Sequence, residues 1–172
     1  MSRLKELALD TSVVSEVLGT TRGHSTPERA EEVGKLLQLE DDGWTFLLPS
    51  PVLAEVLAGL PIRDHHRVLD SLRQRYRILD VTVEVAALAG RIAAGRPRPT
   101  KATRQSFKMD TLIVATASYW KATGIATFEG EHGDIVKACS LDLKAGPPSI
   151  FTALQVPLVK PGLAEVLRRK KR

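Results

Sequence analysis

Residues 7–14 read Leu-Ala-Leu-Asp-Thr-Ser-Val-Val, a short apolar run that meets three polar residues and then becomes apolar again. This pattern predicts a β-strand that passes directly into a helix, with Thr11 or Ser12 as the helix N-cap. Asp10 is the only charged residue in this stretch. Because an ionised carboxylate among apolar neighbours needs a hydrogen bond, a cation or a metal, Asp10 is a candidate either for the helix cap or for a functional site.

The rest of the chain alternates short apolar runs with segments of helical periodicity. Further strands are predicted at 44–48, 76–79 and 125–127, and helices at 27–39, 50–60, 64–76, 82–94, 110–120 and 135–143. Residues 95–106, with Pro97 and Pro99, form the most loop-like segment. Short strands alternating with helices predict an α/β fold, a sandwich around a mainly parallel sheet.

The composition indicates a globular protein and excludes several classes. With 172 residues, 43% hydrophobic and 26% charged, the chain predicts one domain over residues 1–160 followed by a basic tail at 161–172. The single cysteine, Cys139, excludes an internal disulfide and a cysteine-based zinc site, and four histidines argue against a His-rich metal site. Charges near the start exclude a signal peptide, and no stretch reaches the ~20 apolar residues of a membrane helix. We therefore expect a soluble cytoplasmic protein with no membrane partner.

The charge is distributed unevenly. The formal net charge is +5, and the five basic residues at 168–172 account for all of it, which fits a solvated terminus. A second asymmetry is internal, because residues 85–109 contain no acid. The basic residues of this segment are Arg91, Arg96, Arg98, Lys101, Arg104 and Lys108. Such local asymmetry is typical of contact with a polyanion.

Three acids stand alone among apolar neighbours: Asp10, Glu55 and Asp110. Asp10 is predicted at the carboxyl end of the first strand, Glu55 in the middle of a helix, and Asp110 in the first turn of another helix. Singly, they could be a helix cap, a side chain reaching solvent and a favourable charge at a helix dipole. Together, clustered carboxylates suit Mg²⁺ or Mn²⁺, which activates water for attack on a phosphodiester.

Three segments together resemble a known family. They are Leu9-Asp10-Thr11-Ser12-Val13-Val14, Glu55 within Pro-Ser-Pro-Val-Leu-Ala-Glu-Val, and Lys108-Met109-Asp110-Thr111-Leu112-Ile113-Val114-Ala115-Thr116-Ala117. Over about residues 7–140, the chain resembles PIN-domain ribonucleases, and in particular the VapC-type toxins of bacterial toxin–antitoxin pairs. The resemblance implies a three-layer α/β/α fold, an endoribonuclease that uses Mg²⁺ or Mn²⁺, a cognate antitoxin as partner, and a homodimer.

The resemblance also implies roles for individual residues. Asp10, Glu55 and Asp110 match the acidic triad that binds metal and positions the attacking water. Thr11 or Ser12 matches the hydroxyl that supports the site beside the first aspartate.

The fourth acidic position departs from the family pattern. Thr127 matches the threonine that closes a strand, and Glu129 holds the place of the usual Asn or Asp. Glu131 and Asp134 are the other candidates for this position, and the phenylalanine that the family has nearby is missing. Alternatively, Glu131 and Asp134 belong to a charged turn that caps the next helix.

Arg104 and Lys108 lead into Asp110 and are therefore candidates for contact with an RNA backbone. The main rival function is a PIN-like module whose fourth acidic position has decayed and which binds RNA or protein without cleaving it. A phosphatase of the haloacid dehalogenase type is a third possibility. That chemistry requires a second aspartate two residues after the first, where Ser12 stands.

Overall fold

A computed structural model describes residues 5–19, 25–96 and 104–152. The five strands are β1 (Glu6–Leu9), β2 (Thr45–Pro49), β3 (Arg77–Leu79), β4 (Gly124–Ala126) and β5 (Lys144–Gly146). The helices are α1 (Thr11–Val17), α2 (Pro27–Asp41), α3 (Ser50–Ala58), α4 (Ile62–Arg75), α5 (Val83–Ala94), α6 (Arg104–Tyr119), α7 (Gly130–Ala138) and α8 (Ser149–Thr152). The predicted basic tail at 161–172 and the basic residues Arg98 and Lys101 lie outside the described residues.

The strands form one sheet in the order β3-β2-β1-β4-β5, and every neighbouring pair is parallel. The predicted parallel sheet is therefore confirmed. Strand β1 lies at the centre, and Leu7, Ala8 and Leu9 are fully buried because helices cover both of its faces. Strands β2 and β3 are added on one side of β1, and strands β4 and β5 are then added on the other side. The gap between the ends of β1 and β4 is thus the switch point at which such sheets form crevices.

Two hydrophobic clusters lie on opposite faces of the sheet. Leu7 and Leu9 point into a cluster with side chains of α1, α2, α3 and α8, including Val13, Leu39 and Phe151. Ala8, between them, points into a second cluster with α5, α6 and α7. The alternation follows from the two-residue period of a strand. The result is the predicted three-layer α/β/α sandwich. Over the described parts of the chain, no helix combines the length and apolar character needed to span a membrane.

Several predicted boundaries are wrong. Helix α6 already includes Arg104, so Asp110 lies within the helix and not in its first turn. The reason is that residues 104–109 contain no Gly or Pro to stop the helix. Helix α7 covers Gly130–Ala138 where residues 135–143 were predicted, and β5 was not predicted at all.

The N-cap of α1 is Asp10, and the prediction of Thr11 or Ser12 is wrong. Asp10 has extended backbone angles, and its side chain accepts a hydrogen bond from the backbone N–H of Ser12. Thr11 and Ser12 belong to the first helical turn. Their hydroxyl groups are therefore free to serve other partners.

Candidate active site

An open cleft of about 730 Å³ lies at the carboxyl ends of the central strands. Four of its lining residues are acidic: Asp10, Glu55, Asp110 and Glu129. They come from four separate places, namely the end of β1, helix α3, helix α6 and the turn after β4. Because parallel strands end at the same edge of a sheet, the topology brings these distant residues together.

Asp10 is held by three hydrogen bonds to the same oxygen. Its Oδ2 accepts from Ser12 Oγ at 2.8 Å, from Thr127 Oγ1 at 2.9 Å and, more weakly, from the Ser12 backbone N–H at 3.4 Å. Ser12 Oγ also accepts from the Phe128 backbone N–H at 3.1 Å, which ties α1 to the end of β4. The carboxylate is nearly inaccessible to solvent and its orientation is fixed.

Glu55 reaches the cleft because it lies beside the face of α3 that packs against the sheet, and not on that face. Val52 and Val56 of this helix are buried against the sheet, whereas Glu55 is half-buried at its edge. Its Oε2 accepts a hydrogen bond from Thr11 Oγ1. Thus Thr11 and Ser12 both support carboxylates of the cleft, Thr11 holding Glu55 and Ser12 holding Asp10.

The surroundings of Asp110 and Glu129 disfavour negative charge. Burial raises the pKa of Asp110, and the charges of Asp10 and Glu131 add to this effect. His132 and a hydrogen bond of 3.0 Å from Ser106 Oγ act in the opposite direction. The pKa of Glu129 is also raised, first by burial and then by the charge of Asp10. A cation in the cleft would relieve this repulsion.

His132 belongs to the same cluster, although the sequence reasoning did not identify it. Its ring is fully buried, and Nε2 lies 3.5 Å from Asp10 Oδ1 and 3.9 Å from Asp110 Oδ1. Within the described residues, this nitrogen has no hydrogen-bond partner. The available signal was its position in the turn of helix that follows Thr127 and Glu129, the segment in which the fourth ligand was sought.

Arg29 was also missed. It extends from α2 into the cleft, where it is the only basic side chain in the described part of the lining. Its guanidinium carbon lies 5.2 Å from the centroid of the Phe128 ring, a cation–π distance that fixes its orientation. A positive charge is therefore presented at the edge of an acidic cleft.

Comparison with solved structures supports the architecture. A chain of the crystal structure of VapBC2 from Rickettsia felis, bound to a DNA fragment from their promoter, matches with a TM-score of 0.55 and 20% identity. The match covers 81% of this chain and 98% of that chain. A chain of DNA-bound VapBC from Salmonella typhimurium matches with a TM-score of 0.54 and 16% identity, over 83% of this chain and 98% of that chain. The chain has a PIN-like fold.

The expected resemblance to VapC-type proteins is thus confirmed at the level of the fold. Comparison with protein-family models and with curated proteins finds no match. At these identities the structural likeness establishes the architecture alone. Which residues of this PIN-like fold act, and on what, has to be argued from its own site.

The other predicted site residues of the PIN-like fold occupy two kinds of position. Thr127 is buried beneath the cleft, where its hydroxyl donates to Asp10. Glu129, Glu131 and Asp134 are all exposed, and of these three Glu129 lines the cleft. Arg104 and Lys108 are exposed on α6 and are not part of the lining. Their role in RNA binding stays a prediction.

The donor set suits a divalent ion. Carboxylate oxygens with water are the ligands that Mg²⁺ and Mn²⁺ take in proteins, and here they come with a buried imidazole nitrogen that has no partner in the described structure. Among residues 5–19, 25–96 and 104–152, no three His, Cys, Asp or Glu side chains form a ready-made metal site. The residues fit an ion in chemical type and in charge.

Proposed function

We propose that this chain is a Mg²⁺- or Mn²⁺-dependent endoribonuclease and the toxin of a toxin–antitoxin pair. The observation that carries the proposal is the convergence of Asp10, Glu55, Asp110 and Glu129 in one cleft at the switch point of a PIN-like fold. Few functions other than metal binding require so many acids at a site where burial already raises carboxylate pKa values.

In this proposal Asp10, Glu55 and Asp110 hold the ion, with Glu129 as the fourth carboxylate. A bound divalent ion supplies an activated water and stabilises the charge that develops on the phosphodiester. The chain itself supplies orientation. Ser12 and Thr127 fix Asp10, Thr11 fixes Glu55, and Ser106 fixes Asp110. Preorganised ligands of this kind lower the cost of reorganisation during the reaction.

Arg29 is the residue that we assign to the substrate. An RNA phosphate entering an acidic cleft needs a positive contact, and Arg29 provides one at the cleft edge with five possible hydrogen-bond donors. Arg104 and Lys108 would contact the RNA backbone farther out, because they are exposed on the helix that carries Asp110.

The partners follow from the same proposal. The structural neighbours are VapBC complexes bound to DNA, which supports a cognate antitoxin for this chain. We also expect a homodimer in the cytoplasm. A short reading frame directly upstream, encoding a small DNA-binding protein that suppresses RNA cleavage, is the expected genetic arrangement.

The decisive experiment is an RNA cleavage assay with the purified chain and Mg²⁺ or Mn²⁺. Removing a residue that only hydrogen-bonds a metal ligand typically costs 10–100-fold. Asp10 and Asp110 are proposed as direct ligands, so we expect Asp10→Asn and Asp110→Asn each to reduce the rate by more than about 100-fold. Asp70→Asn is the matched control, because Asp70 is on α4, pairs with the exposed His66 and does not belong to the described lining of the cleft. Undiminished cleavage by the Asp10 and Asp110 variants would refute their assignment.

The binding-module alternative makes a different prediction. A PIN-like fold with a decayed site would show neither RNA cleavage nor stabilisation by Mn²⁺. The departure at Glu129, where the family has Asn or Asp, is the feature that keeps this alternative in view. Thermal unfolding with and without Mn²⁺ separates the two functions without the need for an RNA substrate.

A further inference from the structure

The buried imidazole of His132 faces the cleft acids with a nitrogen that has no partner among the described residues. The side chain is fully buried, and a buried polar nitrogen without a hydrogen bond is costly. Its two nearest acidic atoms are Asp10 Oδ1 at 3.5 Å and Asp110 Oδ1 at 3.9 Å, and neither contact forms a hydrogen bond in the described structure. This nitrogen can be satisfied in two ways, as a charged N–H paired with both carboxylates or as a ligand to a cation that lies between them.

The hydrogen-bond network assigns the protons of the ring. Thr127 Oγ1 has one proton, and its closest acceptor is Asp10 Oδ2 at 2.9 Å. The same oxygen accepts from the Glu129 backbone N–H at 3.0 Å and lies 3.5 Å from His132 Nδ1. Because the hydroxyl proton is used on Asp10, Nδ1 must be the donor in its contact with Thr127. With a proton on both nitrogens, the ring is the cation that opposes the raised pKa of Asp110. With the proton on Nδ1 alone, which is the form that binds a metal, Nε2 carries a lone pair directed at two carboxylates.

A lone pair that faces two negative charges is unfavourable unless a cation lies between them. Ligand atoms that each lie about 2.1 Å from one ion are separated by about 3 to 4 Å, which is the spacing observed here. The donor on Nδ1 completes the pattern, since metal-binding histidines usually donate their other N–H to a neighbouring oxygen.

We propose that His132 Nε2 is a nitrogen ligand to the divalent ion held by Asp10 and Asp110, and that it gives the site a preference for a transition ion such as Mn²⁺ over Mg²⁺. Mg²⁺ takes oxygen ligands and avoids nitrogen, whereas first-row transition ions accept imidazole. This inference rests on the metal site of the proposed function, but it does not depend on RNA being the substrate.

The test is calorimetric titration of the full chain with Mn²⁺ and, separately, with Mg²⁺. His132→Asn keeps a donor near the position of Nδ1 and removes Nε2. We expect it to weaken Mn²⁺ binding about tenfold or more and Mg²⁺ binding less than about threefold. His132→Glu places a carboxylate oxygen near the position of Nε2, restores an oxygen ligand and should shift the ratio of affinities towards Mg²⁺. His66→Asn is the control, because His66 is an exposed imidazole that pairs with Asp70.

An unchanged or increased affinity for Mn²⁺ in His132→Asn would overturn the proposal. If His132 were a positive group that takes the place of the ion, His132→Asn would leave Mn²⁺ binding unchanged or strengthen it. A second measurement uses the wild-type chain and does not depend on whether the variant folds. Pulsed electron paramagnetic resonance of bound Mn²⁺ should detect a coordinated ¹⁴N nucleus. The same signal should be present in the control variant His66→Asn. Absence of nitrogen coupling would equally refute the ligand.

The two proposals can fail separately. If His132→Asn weakens Mn²⁺ binding and the wild-type chain cleaves no RNA, the ligand stands and the nuclease does not. If the chain cleaves RNA and nitrogen coupling is absent, the nuclease stands and the ligand does not.

Discussion

The single carboxylate of Asp10 has two structural roles. Through Oδ2 it caps α1 and accepts from the hydroxyl groups of Ser12 and Thr127, and Oδ1 remains directed towards His132. The isolation of this acid among apolar residues was enough to mark it in the sequence. The choice between a cap and a site residue was not decidable there, and the structure shows that Asp10 is both the N-cap and part of the cleft lining.

Thr127→Val should disturb the cleft through Asp10. The change removes the hydroxyl that donates to Asp10 Oδ2 and accepts from Glu129 N–H, leaving buried groups unsatisfied at a cost of about 1–3 kcal/mol. We expect a lower unfolding midpoint and weaker Mn²⁺ binding. Thr116→Val is the control, because Thr116 is equally buried but donates only to the Leu112 carbonyl of its own helix. It should lower the midpoint without changing Mn²⁺ binding. Equal Mn²⁺ affinity in the two variants would contradict this role for Thr127.

The sequence did not identify His132 and Arg29. Arg29 has no local signature, and the signal for His132 is its place in the segment after Thr127, where the fourth ligand was sought. Their roles arise from neighbours that the sheet brings in from distant parts of the chain. The cleft carboxylates could be recognised in the sequence, because an unpaired acid within an apolar segment is itself unusual. The sequence therefore predicted the carboxylates, whose burial is unfavourable. It did not predict the basic side chains, His132 and Arg29, that lie close to them.

At the level of secondary structure, the elements were predictable where apolar periodicity is long. Helix α5 and strand β1 have continuous apolar patterns and lie close to their expected positions. Strand β5 reads only Lys-Ala-Gly, which carries no periodic signal, and it forms because β4 offers a free edge for parallel pairing. The early start of α6 was missed because Pro97 and Pro99 led to the prediction of a loop over the whole of residues 95–106.

Gly124 in β4 is a site where a single methyl group should destabilise the sheet. An added Cβ would meet the ring of Phe151 and come within 2.9 Å of the Lys144 carbonyl oxygen of the neighbouring strand, which cannot move independently. We expect Gly124→Ala to cost about 1–3 kcal/mol. Gly90→Ala, in an exposed position of α5 with open space around it, should instead stabilise by about 0.5–1 kcal/mol. Chemical denaturation of both variants measures the contrast, and the same sign for both would refute it.

For the molecule as a whole, the acidic cleft is a source of instability when no cation is present. The pKa values of Asp110 and Glu129 are raised, so these two groups bind more protons in the folded chain than in the unfolded chain in the pH range above the ordinary carboxyl values. Their contribution to the free energy of unfolding must then decrease as the pH rises through that range. The fold tolerates this cost because the two hydrophobic clusters on the sheet are extensive.

Asp110→Asn should therefore stabilise the metal-free protein. The amide mimics the neutral form of the acid, so the decrease in stability with rising pH should become shallower. At neutral pH the midpoint should rise by about 2–4 °C, the shift that about 1 kcal/mol gives in a chain of this size. Thermal unfolding with a chelator, from pH 4.5 to 8, is the measurement, with Asp70→Asn as control. An unchanged pH slope would contradict the expected repulsion. With Mn²⁺ added, the wild type should unfold at a higher temperature than the variant, because the ion stabilises the wild type more.

The order in which the cleft residues occur along the chain has a consequence for synthesis. Asp10 emerges from the ribosome early, yet the hydroxyl that fixes it belongs to Thr127 and the imidazole beside it to His132. Strand β1 must therefore remain without its neighbour β4 until residues 124–126 have been made. Until then no partial chain can assemble the cluster. A newly made molecule acquires its site only after the segment that carries Thr127 and His132 has left the ribosome.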